Sequence, residues 1–195
     1  AQAIGANGLF CRVSTLYHDI GKLFNPQYFT ENQMGGFNIH QLLTPQESAQ
    51  VIIAHIEEGE LLAKKYRLPS HFVDIIKQHH GTTLVYYFYK KQLDQNGSDQ
   101  DHVDKDLFRY KGPKPKTKES AIIMMADTIE AASRSLERVD EESISELVNR
   151  LIDEKLLDGQ FDDCQLTFEE FGIVKESIIK TLSVARHLRI KYPSR

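Results

Sequence analysis

Apolar residues recur at helical spacing along nearly every long segment of this chain, and this pattern constrains the fold more than any other feature. Alternation of period two, which would indicate strands, is largely missing from these segments. The segment 83–93 is rich in Tyr and Val, but its length and its helical neighbours favour a helix there too. The sequence therefore predicts an all-α helical bundle, with helices over approximately residues 9–20, 45–61, 70–80, 83–93, 117–136, 143–152 and 167–188.

Polar residues at the predicted helix starts indicate where several of these helices begin. Ser70 is placed to cap the third helix. The pairs Ser143 with Glu146 and Thr167 with Glu170 have the spacing of capping boxes for the last two. Two irregular stretches, 25–46 and 94–116, interrupt the helical pattern, and a loop as long as the second is usually functional or disordered.

Composition bounds the class of protein. With 195 residues, of which 41% are hydrophobic, the chain is long enough for one sizeable domain, predicted to cover residues 1–195. Its longest apolar runs are far shorter than the roughly 20 residues of a membrane helix, so a soluble domain is expected. A net charge of −4 offers no general attraction to DNA or RNA, and neither is an expected partner.

Six histidine and aspartate side chains form the pattern that carries chemistry. Asp127, which lies among Met, Ala and Ile, needs a cation or strong hydrogen-bond donors, because burying an unpaired carboxylate is costly. Imidazole and carboxylate ligands suit Mn, Fe, Ni or Zn, and six such groups exceed the needs of one ion, which predicts two metals. The six candidate ligands are His18, Asp19, His55, His79, His80 and Asp127.

Two metals close together favour phosphoester hydrolysis, since they hold a phosphoryl group and lower the pKa of a water between them. Asp19 is the carboxylate predicted to bridge the two ions and to act in catalysis. Lys22, one helical turn beyond His18, is the second predicted catalytic residue, because its ammonium group can offset charge on the phosphate or on the leaving oxygen.

These residues, taken with longer motifs, resemble the HD-domain metal-dependent phosphohydrolases. The resemblance narrows to the HD domains of bacterial seven-transmembrane receptors, which are cyclic di-AMP phosphodiesterases, and it covers nearly the whole chain. The motifs that carry it are YHDIGK, ENQ, QHHGT, YFYKK, FRYKGPKPKT and ADTIEAASRSL.

The resemblance implies hydrolysis of cyclic di-AMP to linear pApA with iron or manganese. It implies His18, Asp19 and Asp127 on one ion and Asp19, His55, His79 and His80 on the other. Family members carry one more ligating histidine on an upstream helix, so the chain is expected to be an N-terminally incomplete HD domain. The parent protein would be a receptor of the bacterial inner membrane with this domain in the cytoplasm, attached only through the missing N-terminal region. A dimer is compatible with the sequence.

The Gly-Tyr-Pro signature of the cyclic di-GMP enzymes is absent from the sequence, which counts against that substrate. Two alternatives stay open from the residues alone: a phosphohydrolase acting on another nucleotide or phosphomonoester, and a nucleotide sensor without turnover. Six further residues are predicted to contact substrate, namely His40, Thr82, Tyr86, Arg109, Lys114 and Arg134.

Overall fold

A computed structural model describes residues 1–32, 38–97, 103–136, 138 and 140–187. Within these residues the chain forms seven α-helices and several short 3-10 helices, which confirms the all-α prediction. None of the described helices is long and apolar enough to cross a membrane. The α-helices are α1 Gly8–Ser14, α2 Pro45–Lys65, α3 Ser70–Gln78, α4 Tyr86–Gln95, α5 Lys118–Ser133, α6 Glu141–Leu157 and α7 Phe168–His187.

The chain divides into two compact units. The first, here called the histidine unit, comprises residues 12–114, and the second, the α5–α7 unit, comprises residues 1–11 and 115–195. The α5–α7 unit packs around an apolar cluster in which Met124, Met125, Val148 and Ile152 are almost fully buried.

The histidine unit is built around α2, against which α3, α4 and the 3-10 helix Ile20–Leu23 pack. One apolar cluster of this unit includes Ala49, Phe88 and Phe108. Helix α2 begins with a capping box in which Thr44 and Glu47 bond reciprocally, a device the sequence interpretation missed. Among the residues predicted on the apolar face of α2, Leu61 is instead exposed.

The first predicted helix is shorter than expected. It ends at Ser14, and tight turns follow before the 3-10 helix Ile20–Leu23. The apolar spacing that suggested a helix as far as Ile20 was misleading, because Leu16 is 74% exposed and buries no face. The His18-Asp19 pair therefore lies in a turn rather than on a helix.

The third and fourth helices also differ from the prediction at their ends. Helix α3 ends at Gln78, so His79 and His80 follow the helix instead of closing it. Ser70 provides no cap, since Pro69 occupies the cap position without a side-chain hydrogen bond. Residues 83–85 are extended rather than helical, because the Val85 amide donates to the Phe108 carbonyl at 2.8 Å and the Tyr110 amide to the Thr83 carbonyl at 3.0 Å.

The capping predictions in the α5–α7 unit had mixed outcomes. The capping box of Thr167 and Glu170 is confirmed. The predicted box at Ser143 is wrong, because Asp140 is the cap and accepts from the Ser143 amide at 2.8 Å. Helix α5 ends at Ser133, so Leu136 lies beyond it.

Both predicted loops contain short helical turns. Three 3-10 helices, Pro26–Tyr28, Thr30–Asn32 and Ile39–Gln41, lie between residues 25 and 46, where one helical turn was expected. In the predicted loop 94–116, α4 extends to Gln95 and a 3-10 helix spans Lys105–Phe108. The remaining parts of these predictions at 33–37 and 98–102 lie outside the described residues, as does Leu188 at the predicted end of the last helix.

Candidate metal centre

Asp19 is brought to α2 by an unusually close backbone contact. It precedes the 3-10 helix Ile20–Leu23, whose Gly21 lies directly on α2. A Cβ atom at Gly21 would come within 1.8 Å of the His55 carbonyl oxygen and 2.5 Å of the Gly59 amide nitrogen. Only glycine permits this approach, and it holds the Asp19 carboxylate beside His55.

The carboxylate of Asp19 lies among histidine nitrogens. Its Oδ1 is 3.3 Å from Nε2 of His55 and 3.5 Å from Nε2 of His79, and these two nitrogens are themselves 3.3 Å apart. Its Oδ2 is 3.3 Å from Nε2 of His18. His80 joins the group, since Asp19, His55, His79 and His80 each offer a ligand atom within 4.8 Å of the others.

Three of these histidines are oriented by the backbone turn that precedes them. Nδ1 of His18 is 2.9 Å from the carbonyl oxygen of Thr15, and Nδ1 of His79 is 2.8 Å from that of Ile76. Nδ1 of His55 is likewise 2.5 Å from the carbonyl oxygen of Ile52. A carbonyl oxygen only accepts hydrogen bonds, so Nδ1 carries the proton in each neutral ring and Nε2 presents a lone pair.

Lone pairs therefore converge on one point from Asp19, His55 and His79. Either a proton shared with the Asp19 carboxylate or a bound cation relieves their mutual repulsion. Metal–ligand bonds of about 2.0–2.2 Å put neighbouring ligand atoms about 3.0–3.5 Å apart, in agreement with the spacing found here. A proton on Nδ1 held by a carbonyl is also the usual arrangement behind a ligating histidine. The site fits a divalent transition metal.

Charge and burial hold the protonation states that a metal site needs. Burial alone would raise the pKa of Asp19, but contacts with His18 and His79 and the Lys22 ammonium outweigh it and keep that pKa well below its usual range. His55 is 1% exposed, and burial together with the neighbouring His79 lowers its pKa to about 4. The carboxylate is thus ionised and the His55 ring neutral at pH 7.

Comparisons with known proteins identify the family of this chain. The family model described as "HD domain" matches residues 1–132. This chain belongs to the HD domain family. A Bacillus subtilis (strain 168) protein named cyclic-di-AMP phosphodiesterase PgpH is 46% identical to this HD domain over 192 residues, covering 98% of this chain and 26% of the relative. The protein of the same name from Listeria monocytogenes serotype 1/2a (strain 10403S) is 45% identical over 193 residues, covering 99% and 26%.

The crystal structure of the L. monocytogenes PgpH HD domain in complex with cyclic-di-AMP superposes on this HD domain with a TM-score of 0.90. The two are 43% identical, and the match covers 95% of this chain and 85% of that one. The HD domain described here thus spans about a quarter of the length of the curated relatives it matches.

Lys22 lies next to the cluster, and its role in catalysis remains a prediction. Its Nζ is 2.7 Å from Asp19 Oδ2 and 2.5 Å from Glu31 Oε1. Burial opposes the charged form of Lys22, but these two carboxylates overcome that and raise its pKa. Glu31, which belongs to the ENQ motif, holds the lysine from the other side.

Two aromatic residues that the sequence interpretation did not single out pack against candidate ligands of this HD domain. Tyr110 stacks on His80, with ring centroids 4.3 Å apart and an interplanar angle of 22°. Phe29 meets His55 edge-on at 5.8 Å. Tyr110 belongs to the FRYKGPKPKT motif, which was the available signal, whereas nothing in the sequence marked Phe29.

The predicted substrate residues of the histidine unit have different surroundings. Nη1 of Arg109 donates to the Thr82 carbonyl at 2.7 Å, which ties the loop after His80 to the 105–110 segment. Tyr86 is exposed at the start of α4, and Lys114 is half-buried. His40 is buried in a 3-10 helix beside an aromatic pocket. Their contact with substrate remains a prediction.

Two predicted residues lie in the α5–α7 unit. Asp127 is half-buried on α5, and its role as a metal ligand remains a prediction. Lys155 of α6 interacts with Asp127, yet burial dominates and lowers the pKa of this lysine to about 8. Arg134 forms a two-point ion pair with Glu130, at 3.0 and 2.8 Å, and caps the C-terminus of α5.

Proposed function

We propose that this HD domain is a metal-dependent phosphodiesterase that hydrolyses cyclic di-AMP to linear pApA. The observation that carries the proposal is the convergence of Asp19 Oδ1 with Nε2 of His55 and His79, three lone-pair donors 3.3–3.5 Å apart. The relatives named cyclic-di-AMP phosphodiesterase, and the similar HD domain solved with cyclic-di-AMP, support the reaction and the substrate.

Two divalent ions, iron or manganese, are proposed for the centre. One is held by Asp19, His55, His79 and His80, and the other by His18, Asp19 and Asp127, completed by a histidine from an upstream helix. The orientation of Asp19 supports its bridging role, because Oδ1 faces His55 and His79 while Oδ2 faces His18. Imidazole nitrogen and carboxylate oxygen favour these metals over thiolate-binding ones.

When bound, such ions polarise a phosphoryl oxygen and lower the pKa of a coordinated water. The protein's own part is to orient Asp19 and the histidines and to place a positive charge at the phosphate. Lys22 is the residue proposed for that charge, since Asp19 and Glu31 fix its ammonium beside the cluster. If the Lys22 ammonium moved toward a phosphate, it would give up one of its two carboxylate partners and gain the phosphate in its place, so the lysine would stay charged.

The larger setting of the domain is also a proposal. The curated relatives are about four times longer than this chain, which supports a catalytic domain within a larger protein. We propose a bacterial inner-membrane receptor with this domain on the cytoplasmic side, regulated by its upstream region. The substrate is a cyclic dinucleotide, and DNA and RNA are not proposed as partners.

Product analysis by mass-resolved chromatography tests the reaction. The manganese-loaded domain, alone and extended upstream, is offered cyclic di-AMP and cyclic di-GMP side by side. The expected result is pApA from the first and little product from the second. Binding of metal and cyclic di-AMP without any product would contradict an enzyme and favour the sensor.

The variant Asp19→Asn keeps the shape of the side chain and removes its charge. Mutating a residue that only hydrogen-bonds to a metal ligand typically lowers metal affinity about 10–100-fold, and Asp19→Asn is expected to lower manganese affinity by more than that. Formation of pApA should be lost together with the metal. The matched control is Asp74→Asn on α3, an exposed aspartate, which is expected to retain both. Turnover of cyclic di-AMP by Asp19→Asn at the wild-type rate would refute the assignment.

A further inference from the structure

An apolar groove of about 320 Å³ lies on the histidine unit, between residues 17–24 and the end of α2. All of its lining side chains are aliphatic or aromatic, and none belongs to a predicted metal ligand or substrate residue. Three of them are more than half exposed, with Leu23 at 72%, Phe24 at 51% and Tyr66 at 69%. Large apolar side chains that lie together and stay this exposed mark an interaction surface.

Two cationic side chains stand at the α2 end of this groove. Lys65 and Arg67 flank Tyr66 and are exposed, and the Lys65 ammonium lies 5.5 Å from the centre of the Tyr66 ring. Neither cation has a carboxylate partner among the described residues. Lys64, by contrast, is paired with Glu60 at 2.8 Å. The groove is therefore apolar with a positively charged end.

Arg67 occupies a backbone position that normally favours glycine. Its φ is 56°, in the left-handed region. The Leu68 amide donates to the Ala63 carbonyl at 2.9 Å, and the Arg67 amide donates to the Lys64 carbonyl at 3.1 Å, which are the two bonds of a Schellman motif. A side chain here costs stability that glycine would not. The described residues offer the guanidinium no ion pair that offsets this cost, whereas an anion outside the domain would.

The surface of a bilayer that contains anionic lipids has the matching chemistry. Its acyl region accepts aliphatic side chains, its interface suits tyrosine, and its phosphates attract lysine and arginine. Glu58 is the acidic residue one helical turn before the lining residue Leu62, and its carboxylate accepts from the Asn25 side chain at 3.1 Å. About 10 Å of helix separates Glu58 from Lys65, so the cationic end of the groove keeps its charge.

We propose that this groove and the cationic end of α2 form a surface with which the HD domain contacts an anionic membrane. Leu23, Phe24 and Tyr66 enter the headgroup region, and Lys65 and Arg67 contact lipid phosphates. This surface adds to the proposed membrane setting and is separate from the proposed reaction. A tether to the membrane keeps the domain close to lipid, so that a weak contact suffices to orient it.

Co-sedimentation with lipid vesicles tests the surface. Free manganese is removed first, because a divalent cation could bridge acidic groups to lipid. The domain is expected to bind phosphatidylcholine vesicles that contain about one third phosphatidylglycerol, to bind less as salt rises, and to ignore vesicles of phosphatidylcholine alone. Arg67→Gly should lower the affinity about fivefold. The same change should raise Tm by about 2–4 °C, since glycine relieves the left-handed backbone, so unfolding cannot explain the loss.

Leu23→Ser tests the apolar part and should lower the affinity about tenfold. The matched control is Arg150→Ala on α6, which also removes one exposed positive charge, here paired with Glu154, and should bind like the wild type. Equal binding to both kinds of vesicle, or equal affinity of Arg67→Gly and the wild type, would overturn the proposal. A dimer that Leu23→Ser abolishes in analytical ultracentrifugation, without vesicle binding, would assign the groove to a second copy instead. Formation of pApA without vesicle binding would overturn only the membrane surface, and vesicle binding without pApA only the reaction.

Discussion

The contact between Gly21 and α2 makes the strongest prediction about this domain. In Gly21→Ala, the new methyl group would lie 1.8 Å from the His55 carbonyl oxygen, 2.5 Å from the Gly59 amide nitrogen and 2.8 Å from the His55 carbonyl carbon. All three atoms belong to the backbone, so no side-chain rotation relieves the clash. Restoring even the shortest tolerated separation of 3.0 Å requires a shift of 3.0 − 1.8, or about 1.2 Å.

The magnitude follows from that shift. Overpacking usually costs about 1–3 kcal/mol, and relief by backbone movement alone puts Gly21→Ala at the upper end, about 3 kcal/mol. At about 2–4 °C per kcal/mol for a chain of this size, Tm should fall by about 6–12 °C. Asp19 lies two residues away and would move from His55 and His79, so manganese affinity should fall at least about tenfold.

Urea unfolding in the presence of a chelator measures the stability, and competition with a fluorescent chelator measures the manganese affinity. The matched control is Gly172→Ala on α7, where no described heavy atom outside its own helix backbone lies within 4 Å of the added Cβ. That change should be neutral or stabilise by up to about 1 kcal/mol, since alanine favours helix. Equal stability and equal metal affinity in Gly21→Ala and the wild type would refute the reasoning.

Three further outcomes are expected. The His55 pKa of about 4 lies below the ordinary 6.5, so the unfolded chain binds the proton first and the metal-free domain loses stability as the pH falls from about 6.5 to 4. Between pH 7 and 5, the free energy of unfolding of His55→Gln should therefore fall by about 2 kcal/mol less than that of the wild type, as measured by urea unfolding. Equal losses in the two proteins would contradict this. Asp140→Ala should cost about 1 kcal/mol in thermal unfolding and Ser143→Ala much less, because Asp140 is the cap; the reverse order would show the assignment wrong. Tyr110→Leu removes the ring stacked on His80 and should weaken manganese binding by about 10–100-fold in the same competition assay, whereas wild-type affinity would show that His80 needs no such support.

Helix positions and the candidate metal ligands were accessible from the sequence for a physical reason. Burying one face of a helix imposes a 3.6-residue period that the chain displays, and α2, α5 and α7 follow it closely. The histidines and Asp19 could be recognised by residue type, since few other side chains bind such metals. Where a helix ended in a turn, as after Ser14, the period continued by chance and was misleading.

Tertiary structure alone decided how the ligands meet. Gly21 fits against α2 because it has no Cβ, which would lie 1.8 Å from the carbonyl oxygen of His55, and no local pattern in the sequence reports a contact between residues 34 positions apart. The protonated state of Nδ1 in His55 and His79 depends on backbone carbonyls whose direction exists only once the turns have formed. The sequence by itself thus determined which side chains are present to bind a metal and which segments are helical. Folding decided which lone pairs face one another, because segments far apart in the chain must be placed relative to each other to within a few tenths of an ångström.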